Sequence, residues 1–194
     1  MNYTNPQDHQ SRAERNNRTI KENARVILHR TVYQVIPRTM IQALVEYATE
    51  RFNIFPSKYG ISSYYSLRTI MTQQLLDYNK HCKYEFGEYV QAHHQNQLTN
   101  TMAEQTIDAI YLRSNDNTQG GHVLMNLNTG EKFSRGRVMA VPLTQVVKDQ
   151  VEELARQQGI TSMKFTNKRG RLLPNSDWEQ GEEYKDDYLD KQDD

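Results

Sequence analysis

Apolar side chains recur at helical spacing over the first part of the chain. Residues three and four apart share a face of an α-helix, so this recurrence predicts helices that each bury one side. Before Pro37, the apolar stripe consists of Ala13, Ile20, Ala24, Ile27 and Leu28. After it, a second helix is predicted to bury Met40, Ile41, Leu44, Val45, Ala48 and Phe52. Two helices alone have little to pack against, so the pattern favours the last helices of a larger domain.

The middle of the chain changes to a pattern of short strands. A connection rich in Ser, Tyr, Pro and Gly comes first, with a short helix expected around Leu67 to Leu76. Four apolar runs are then predicted as strands, the last bulged at Gly136: KYEFGEYVQAH, TIDAIYLRS, HVLMNL and KFSRGRVMAVP. Short strands joined by Asn and Gly turns predict a small β-barrel.

The remaining part is predicted as one helix and an acidic end. The helix opens at Pro142 to Thr144 and ends at Gly159, with a buried face of Val147, Val151, Leu154 and Ala155. The run SMKFTN has the composition of a last strand, and the acidic, apolar-poor residues after Asn175 are expected to be disordered. The predicted fold class is α+β: N-terminal helices, a small β-barrel, one helix and a disordered acidic tail.

Composition narrows the class of protein. With 194 residues, of which 36% are hydrophobic, the chain can build one core of normal size or two small ones. No run approaches the roughly 18 apolar residues of a spanning helix, and no signal peptide is apparent. The single cysteine, Cys82, favours an intracellular compartment, nucleus or cytoplasm. Net charge is zero, but residues 12–38 are basic and residues 177–194 acidic, an asymmetry typical of a nucleic-acid partner or a solvated end.

The stretch AERNNRTIKENAR places one acid at the head of a basic helical face. Each helical residue turns by about 100°, so Arg18, Lys21 and Arg25 return to within about 40° of Glu14. One interpretation is a solvated face with a Glu14–Arg18 pair, which contributes about 0.3–0.5 kcal/mol. The other is a carboxylate that binds a hard metal ion, followed by cations that contact a nucleic-acid backbone. Spacing alone favours the first interpretation.

The residues themselves resemble a known family. AERNNRTIKENAR is similar to the last catalytic-acid segment of the integrase in copia-type LTR retrotransposon polyproteins. HCKYEFGEYVQAH, GGHVLMNLNTG, FPSKYGIS and FTNKRG resemble the segment that joins integrase to reverse transcriptase. The resemblance implies C-terminal helices of an RNase H-like integrase core over 1–58, a connector over 59–80 and an SH3-like β-barrel over 81–142. A helix with a short strand over 143–174 and an acidic linker over 175–194 would complete the chain.

The resemblance also implies roles for the basic helix. Glu14 would be the third acid of an Asp, Asp, Glu triad that binds two Mg²⁺ or Mn²⁺ ions and catalyses strand transfer, as such metal pairs do. The DNA path would be lined by Arg15, Arg18, Lys21 and Arg25.

The chain departs from the family pattern before the acid. The other two acids of the triad would precede Met1, and Asp8 is too close to Glu14 in the chain to replace one. A Gln-x-Asn-Gly stretch often precedes the family's Glu, where this chain has Gln10 to Ala13. One carboxylate cannot hold two ions, so we expect this chain alone to bind no metal ion and not to integrate DNA.

A second set of cations accompanies the predicted fourth strand. Arg135 and Arg137 are two apart and would share one face of a continuous strand, beside Lys132. They and a later cluster of Lys168, Arg169 and Arg171 either contact phosphate or form a solvated rim, and the sequence favours neither.

Other chemically suggestive residues have plainer interpretations. Tyr84, Phe86 and Tyr89 could stack on bases, but barrel core is the more frequent role. His93 and His94 would point to opposite faces of a strand, which makes a shared metal ion a poor interpretation. Cys82 is interpreted as a buried structural thiol.

Together these patterns predict a fragment of a retrotransposon integrase that binds DNA in DNA integration. Its partners would be DNA, the rest of the integrase core, reverse transcriptase and further copies of the chain, with no membrane. The alternative is a structural protein–protein interaction module of a degenerate retroelement. The acidic end would either compete with nucleic acid for the basic helix or serve as a linker.

Overall fold

The computed structural model describes residues 11–56, 62–94, 104–115 and 120–163, with side chains from Glu14 onward. These residues fall almost entirely within one compact unit that extends to Thr161. Its helices are α1 (Ser11–Arg30), α2 (Arg38–Ile54), α3 (Leu67–Thr72), α4 (Tyr78–His81) and α5 (Gln145–Gln157). Its strands are β1 (Tyr89–His93), β2 (Thr106–Ser114), β3 (His122–Asn126), β4 (Lys132–Arg135) and β5 (Val138–Ala140). The α+β class is thereby confirmed.

The five strands form one antiparallel sheet in the order β4-β3-β2-β1-β5. The edge strands β4 and β5 are nevertheless consecutive, joined only by Gly136 and Arg137. Three peptide steps span at most about 11 Å, whereas four strand spacings in a flat sheet span about 19 Å. The sheet must therefore curl strongly to bring its edges near each other.

Two strand predictions are corrected by this sheet. The predicted small β-barrel is not closed, because β4 and β5 are edge strands of an open sheet within the described residues. The predicted fourth strand with a bulge at Gly136 is wrong, because the chain leaves one edge at Arg135 and joins the other at Val138. A bulge keeps a strand on the same neighbour, whereas here the neighbour changes from β3 to β1.

Helix α2 is the principal cover of the sheet, where it packs against β2 and also against α1 and α3. Its buried side chains are Met40, Ala43, Leu44, Tyr47, Ala48 and Ile54. The buried face of α2 differs from the predicted face by a rotation about the helix axis. Val45, predicted to be buried, is half exposed, whereas Ala43 and Tyr47 are buried. The Tyr47 ring lies 5.7 Å from the Phe86 ring, centre to centre, which fixes the helix against the segment before β1.

The core confirms the structural interpretation of the aromatic residues. Tyr84, Phe86 and Tyr89 are all buried, so none presents an open face for stacking on a base. Most of the remaining core comes from the inward sides of the strands: Val90, Ala92, Ala109, Ile110, Tyr111, Leu112, Leu124 and Met125. The resulting core joins sheet and helices: α2 packs on β2, and α1 packs on α2.

Helix α5 follows its prediction closely. The Thr144 hydroxyl accepts from the Val147 amide at 3.5 Å, and Gly159 adopts a φ of +79° just after the helix. Val147, Val151 and Ala155 are buried as predicted, and Glu152 is buried beside them.

Several predictions concern residues that lie outside the described ones. These are the acidic end over 175–194, the cluster Lys168, Arg169 and Arg171, and most of the strand predicted for SMKFTN. Among the residues that the structure does describe, no helix is long and apolar enough to cross a bilayer.

Candidate nucleic-acid interface

The beginning of α1 is the most exposed helical segment with cationic side chains. Residues 14–18 are all exposed, and five residues complete more than one helical turn. This end of the helix is therefore open to solvent around its whole circumference. A helix that presents its full circumference can lie against a partner without rearranging the core.

The predicted basic face exists because residues 11–30 are continuously helical. Helical geometry places Glu14, Arg18, Lys21 and Arg25 along one side, with Arg15 about a quarter-turn away. Glu14, Arg15, Arg18 and Lys21 are exposed and Arg25 is half exposed. Leu28 is buried and Ile20, Ala24 and Ile27 are half-buried, so the apolar stripe faces inward as expected. We call Arg15, Arg18, Lys21 and Arg25 the α1 stripe.

An acid that the sequence interpretation did not weigh lies beside the stripe. The Arg18 Nε donates to Glu22 Oε1 at 2.9 Å across one helical turn. Exposed pairs at this spacing contribute only about 0.3–0.5 kcal/mol. A phosphate oxygen can therefore take the place of the Glu22 carboxylate at little cost.

Lys132 is held by an acid on another element. Its Nζ lies 3.7 Å from Glu46 Oε1 on α2, and the Arg113 Nε donates to the other carboxylate oxygen at 2.9 Å. The Glu46 carboxylate thus pairs with both Lys132 and Arg113. Together these three ionised groups carry a net charge of +1. Sequence reasoning missed Arg113 and Glu46 because they are 67 residues apart and only the packing of α2 on β2 joins them.

Arg135 is positioned by the curled sheet. Its Nε donates to the His93 carbonyl at 3.2 Å and its Nη1 to the Ser134 carbonyl at 2.8 Å, while its guanidinium carbon lies 5.0 Å from the centre of the Phe133 ring. These partners are uncharged, so the positive charge of the guanidinium is not neutralised by them. The arginine joins the end of β4 to the end of β1.

Arg137 is exposed and lies between β4 and β5. The prediction that it shares a strand face with Arg135 is wrong, because no single strand contains both residues. Its carbonyl accepts from the His93 amide at 3.3 Å, so both arginines contact the backbone of the same residue. The sheet therefore brings Arg135, Arg137 and the exposed His93 together by a route that strand periodicity does not describe.

The described residues do not fit a catalytic metal centre. Across residues 11–56, 62–94, 104–115 and 120–163, no group of three or more His, Cys, Asp or Glu side chains is placed to hold an ion. The residues that share the face of Glu14 are cations, which supply no ligand for Mg²⁺.

Cys82 differs in part from its interpretation. It is half-buried rather than buried, and it lines a cavity next to Arg51. The neighbouring His81 is buried and its Nδ1 lies 2.9 Å from the Ser114 hydroxyl.

Comparison of the chain with protein-family models, with curated proteins and with solved structures finds no match. The resemblance to copia-type integrase segments therefore remains a prediction from the motifs alone.

Proposed function

We propose that this chain is a fragment of a retrotransposon integrase that binds the DNA backbone through the α1 stripe, in an intracellular compartment, nucleus or cytoplasm. The observation that carries the proposal is four exposed or half-exposed cations on one helix, three of them along one side. Cationic side chains of a helix contact phosphate without reading sequence, so the binding would be largely sequence-independent. Arg135 and Arg137 at the end of the sheet form a second candidate contact.

The finer fold assignment is part of the same proposal. The strongly curled antiparallel sheet of five short strands supports an SH3-like domain, and α1 with α2 would be the last helices of an RNase H-like core. The partners would be DNA, the remainder of that core, reverse transcriptase and further copies of the chain. Catalysis is not proposed for this chain, since the resemblance matches only Glu14 of three acids; Mg²⁺ or Mn²⁺ belongs to the complete integrase.

Salt dependence of DNA affinity tests the proposal directly. Binding of a fluorescein-labelled duplex is measured by anisotropy at several salt concentrations between 50 and 200 mM, a range in which phosphate contacts lose affinity steeply. Four contacts predict a slope of log affinity against log salt of about −3 to −4. A slope near zero, or no binding at the lowest salt, contradicts the proposal.

Replacement of the stripe locates the contact. Arg15, Arg18, Lys21 and Arg25 are changed together to Gln, which removes charge and preserves helix propensity. The expected loss is about a hundredfold at low salt. The matched control changes four cations outside α1 to Gln: Arg38, Lys80, Lys83 and Lys148. Equal losses in the two variants would mean that net charge, not the α1 stripe, determines binding.

A second candidate function is supported by a different surface. The connector before β1 exposes a run of large apolar side chains, and Tyr64, Met71 and Leu75 each keep more than three-quarters of their surface accessible. Apolar patches of this kind often mark protein-binding surfaces. The alternative is therefore a structural interaction module, which predicts no DNA binding at low salt and a partner-dependent loss of exposure at these residues.

A further inference from the structure

A cavity of about 600 Å³ lies between α1, α2 and the segment that precedes β1. Much of its wall is apolar or aromatic: Val26, Ile27, Phe52, Phe55, Pro56 and Phe86. Small-molecule sites in proteins typically enclose about 300–1,000 Å³ and combine such walls with a few polar groups. The cavity has the size and lining of a small-ligand site.

The ionised groups of the cavity leave one positive charge. At the rim, the Arg30 Nη2 donates to both oxygens of the Glu85 carboxylate at 3.1 and 3.2 Å, so these two exposed residues offset each other. Arg51 is the remaining ionised side chain of the lining. Its charge is not matched by the rim pair.

Arg51 contacts uncharged groups among the described residues. Its Nη2 donates to the Tyr47 hydroxyl at 2.7 Å and to the Tyr84 carbonyl at 3.4 Å. Its guanidinium carbon lies 4.7 Å from the centre of the Tyr47 ring. A half-buried charge that faces only dipoles is stabilised further by an anion, and a charge-assisted bond is roughly twice as strong as a neutral one.

The guanidinium also has the geometry for that anion. Both of its hydrogen bonds to Tyr47 and Tyr84 use one nitrogen, whereas a guanidinium carries five N–H donors in a planar fork that matches a carboxylate. A single unmatched positive charge fits a monoanion better than a doubly charged phosphate. The aromatic walls beside it fit a flat apolar body.

We propose that the cavity binds a small aromatic carboxylate, with its carboxylate on Arg51 and its ring among Phe52, Phe55 and Phe86. The site is distinct from the α1 stripe, because α1 lines the cavity with Asn23, Val26, Ile27 and Arg30. Ligand binding here and DNA binding on α1 can therefore be measured separately.

A charged probe and its neutral counterpart test the proposal. Calorimetric titration with 2-naphthoate and with 2-naphthamide compares the same ring with and without the negative charge. The expected result is binding of 2-naphthoate with about tenfold preference over the amide. Arg51→Gln is expected to abolish the preference, whereas Arg38→Gln, at an exposed position outside the lining, retains it. Equal affinity of the native chain for both probes, or no binding of 2-naphthoate, overturns the proposal.

A readout in the native chain covers the case in which Arg51→Gln fails to fold. Cys82 is the single cysteine of the chain and lines the cavity. The rate of its alkylation by iodoacetamide, measured by mass spectrometry of the intact protein, therefore reports on access to the cavity. Added 2-naphthoate is expected to slow the alkylation more than 2-naphthamide at the same concentration. An alkylation rate that 2-naphthoate does not change overturns the proposed location.

Discussion

Two helices of this protein carry a Glu–Arg pair at the same spacing and nearly the same distance. On α1, Arg18 and Glu22 lie 2.9 Å apart with 61% and 53% of their side chains exposed. On α5, Arg156 and Glu152 lie 3.0 Å apart, but the Glu152 side chain is only 6% exposed. Spacing predicts that both pairs form. It does not predict their effect, because burial decides how much of the attraction water screens.

The two acids consequently do different things. The Glu152 carboxylate also accepts a hydrogen bond from the backbone N–H of Gln34 at 3.0 Å. It thereby connects α5 to the segment between α1 and α2. Next to it, the Arg38 amide donates to the Gln158 side chain at 2.8 Å. Glu22 and Arg18 are both largely exposed, so water competes with their ion pair. The buried pair organises the fold, and the exposed pair leaves a surface ready for a partner.

The largest expected effect comes from the buried acid. Glu152→Ala leaves the Gln34 amide without its acceptor and is expected to cost about 2 kcal/mol of unfolding free energy, measured by urea denaturation. Glu153→Ala is the matched control, since Glu153 is exposed and lies 3.6 Å from the same arginine. Its expected cost is a few tenths of a kcal/mol. Similar losses of unfolding free energy in the two variants would mean that burial does not determine how much these acids stabilise the fold.

A smaller effect is expected from a buried histidine. Burial lowers the pKa of His122 from its usual value, and the neighbouring Lys83 and His81 side chains lower it further. The neutral form is therefore preferred in the native state, while the unfolded chain takes up a proton near pH 6.5. The free energy of unfolding that the neutral His122 contributes is fully present above about pH 6.5. It is lost as pH falls through the lower pKa of the native state.

Urea denaturation at pH 7.5 and 5.5 measures this loss. The native chain is expected to unfold at lower urea at pH 5.5. His122→Phe keeps a ring against Tyr84 and Tyr111, whose centres lie 5.1 and 5.8 Å away, and is expected to reduce the difference. His94→Gln, at an exposed position, serves as the control and keeps the native difference. An unchanged pH dependence in His122→Phe would assign the acid sensitivity to other groups.

The smallest effect is expected at the exposed pair. Glu22→Gln removes the acid beside Arg18 and is expected to change the unfolding free energy by only about 0.3–0.5 kcal/mol. If the α1 stripe binds phosphate, DNA affinity at low salt should rise about twofold, because the Glu22 carboxylate no longer competes with phosphate for the arginine. Anisotropy with the labelled duplex measures this change. A weaker affinity would count against the stripe as the contact surface.

Local patterns predicted the elements whose determinants are local. The second strand was predicted as TIDAIYLRS, and β2 spans Thr106–Ser114. The opening of α5 after Pro142 to Thr144 and its end at Gly159 were also predicted from neighbouring residues. In each case turn chemistry and apolar periodicity agree over a short stretch, so no distant contact is needed to decide the structure.

Features set by distant contacts were missed. The face of α2 was rotated because Tyr47, a residue with a polar tip, is buried against Phe86 rather than exposed. The change of partner strand at Gly136 depends on the pairing of β5 with β1. These two strands are almost 50 residues apart in the sequence. At the candidate interface, helical spacing predicted the α1 stripe, whereas the capture of Lys132 by Glu46 depends on tertiary packing.

The short joint of Gly136 and Arg137 has a consequence for solubility. Two residues keep the end of β4 close to the start of β5, which holds the sheet in its curled form. A few inserted residues at this joint would let the sheet flatten and present two bare ladders of amides and carbonyls. Such ladders recruit strands from other molecules, so we expect a longer joint to favour aggregation.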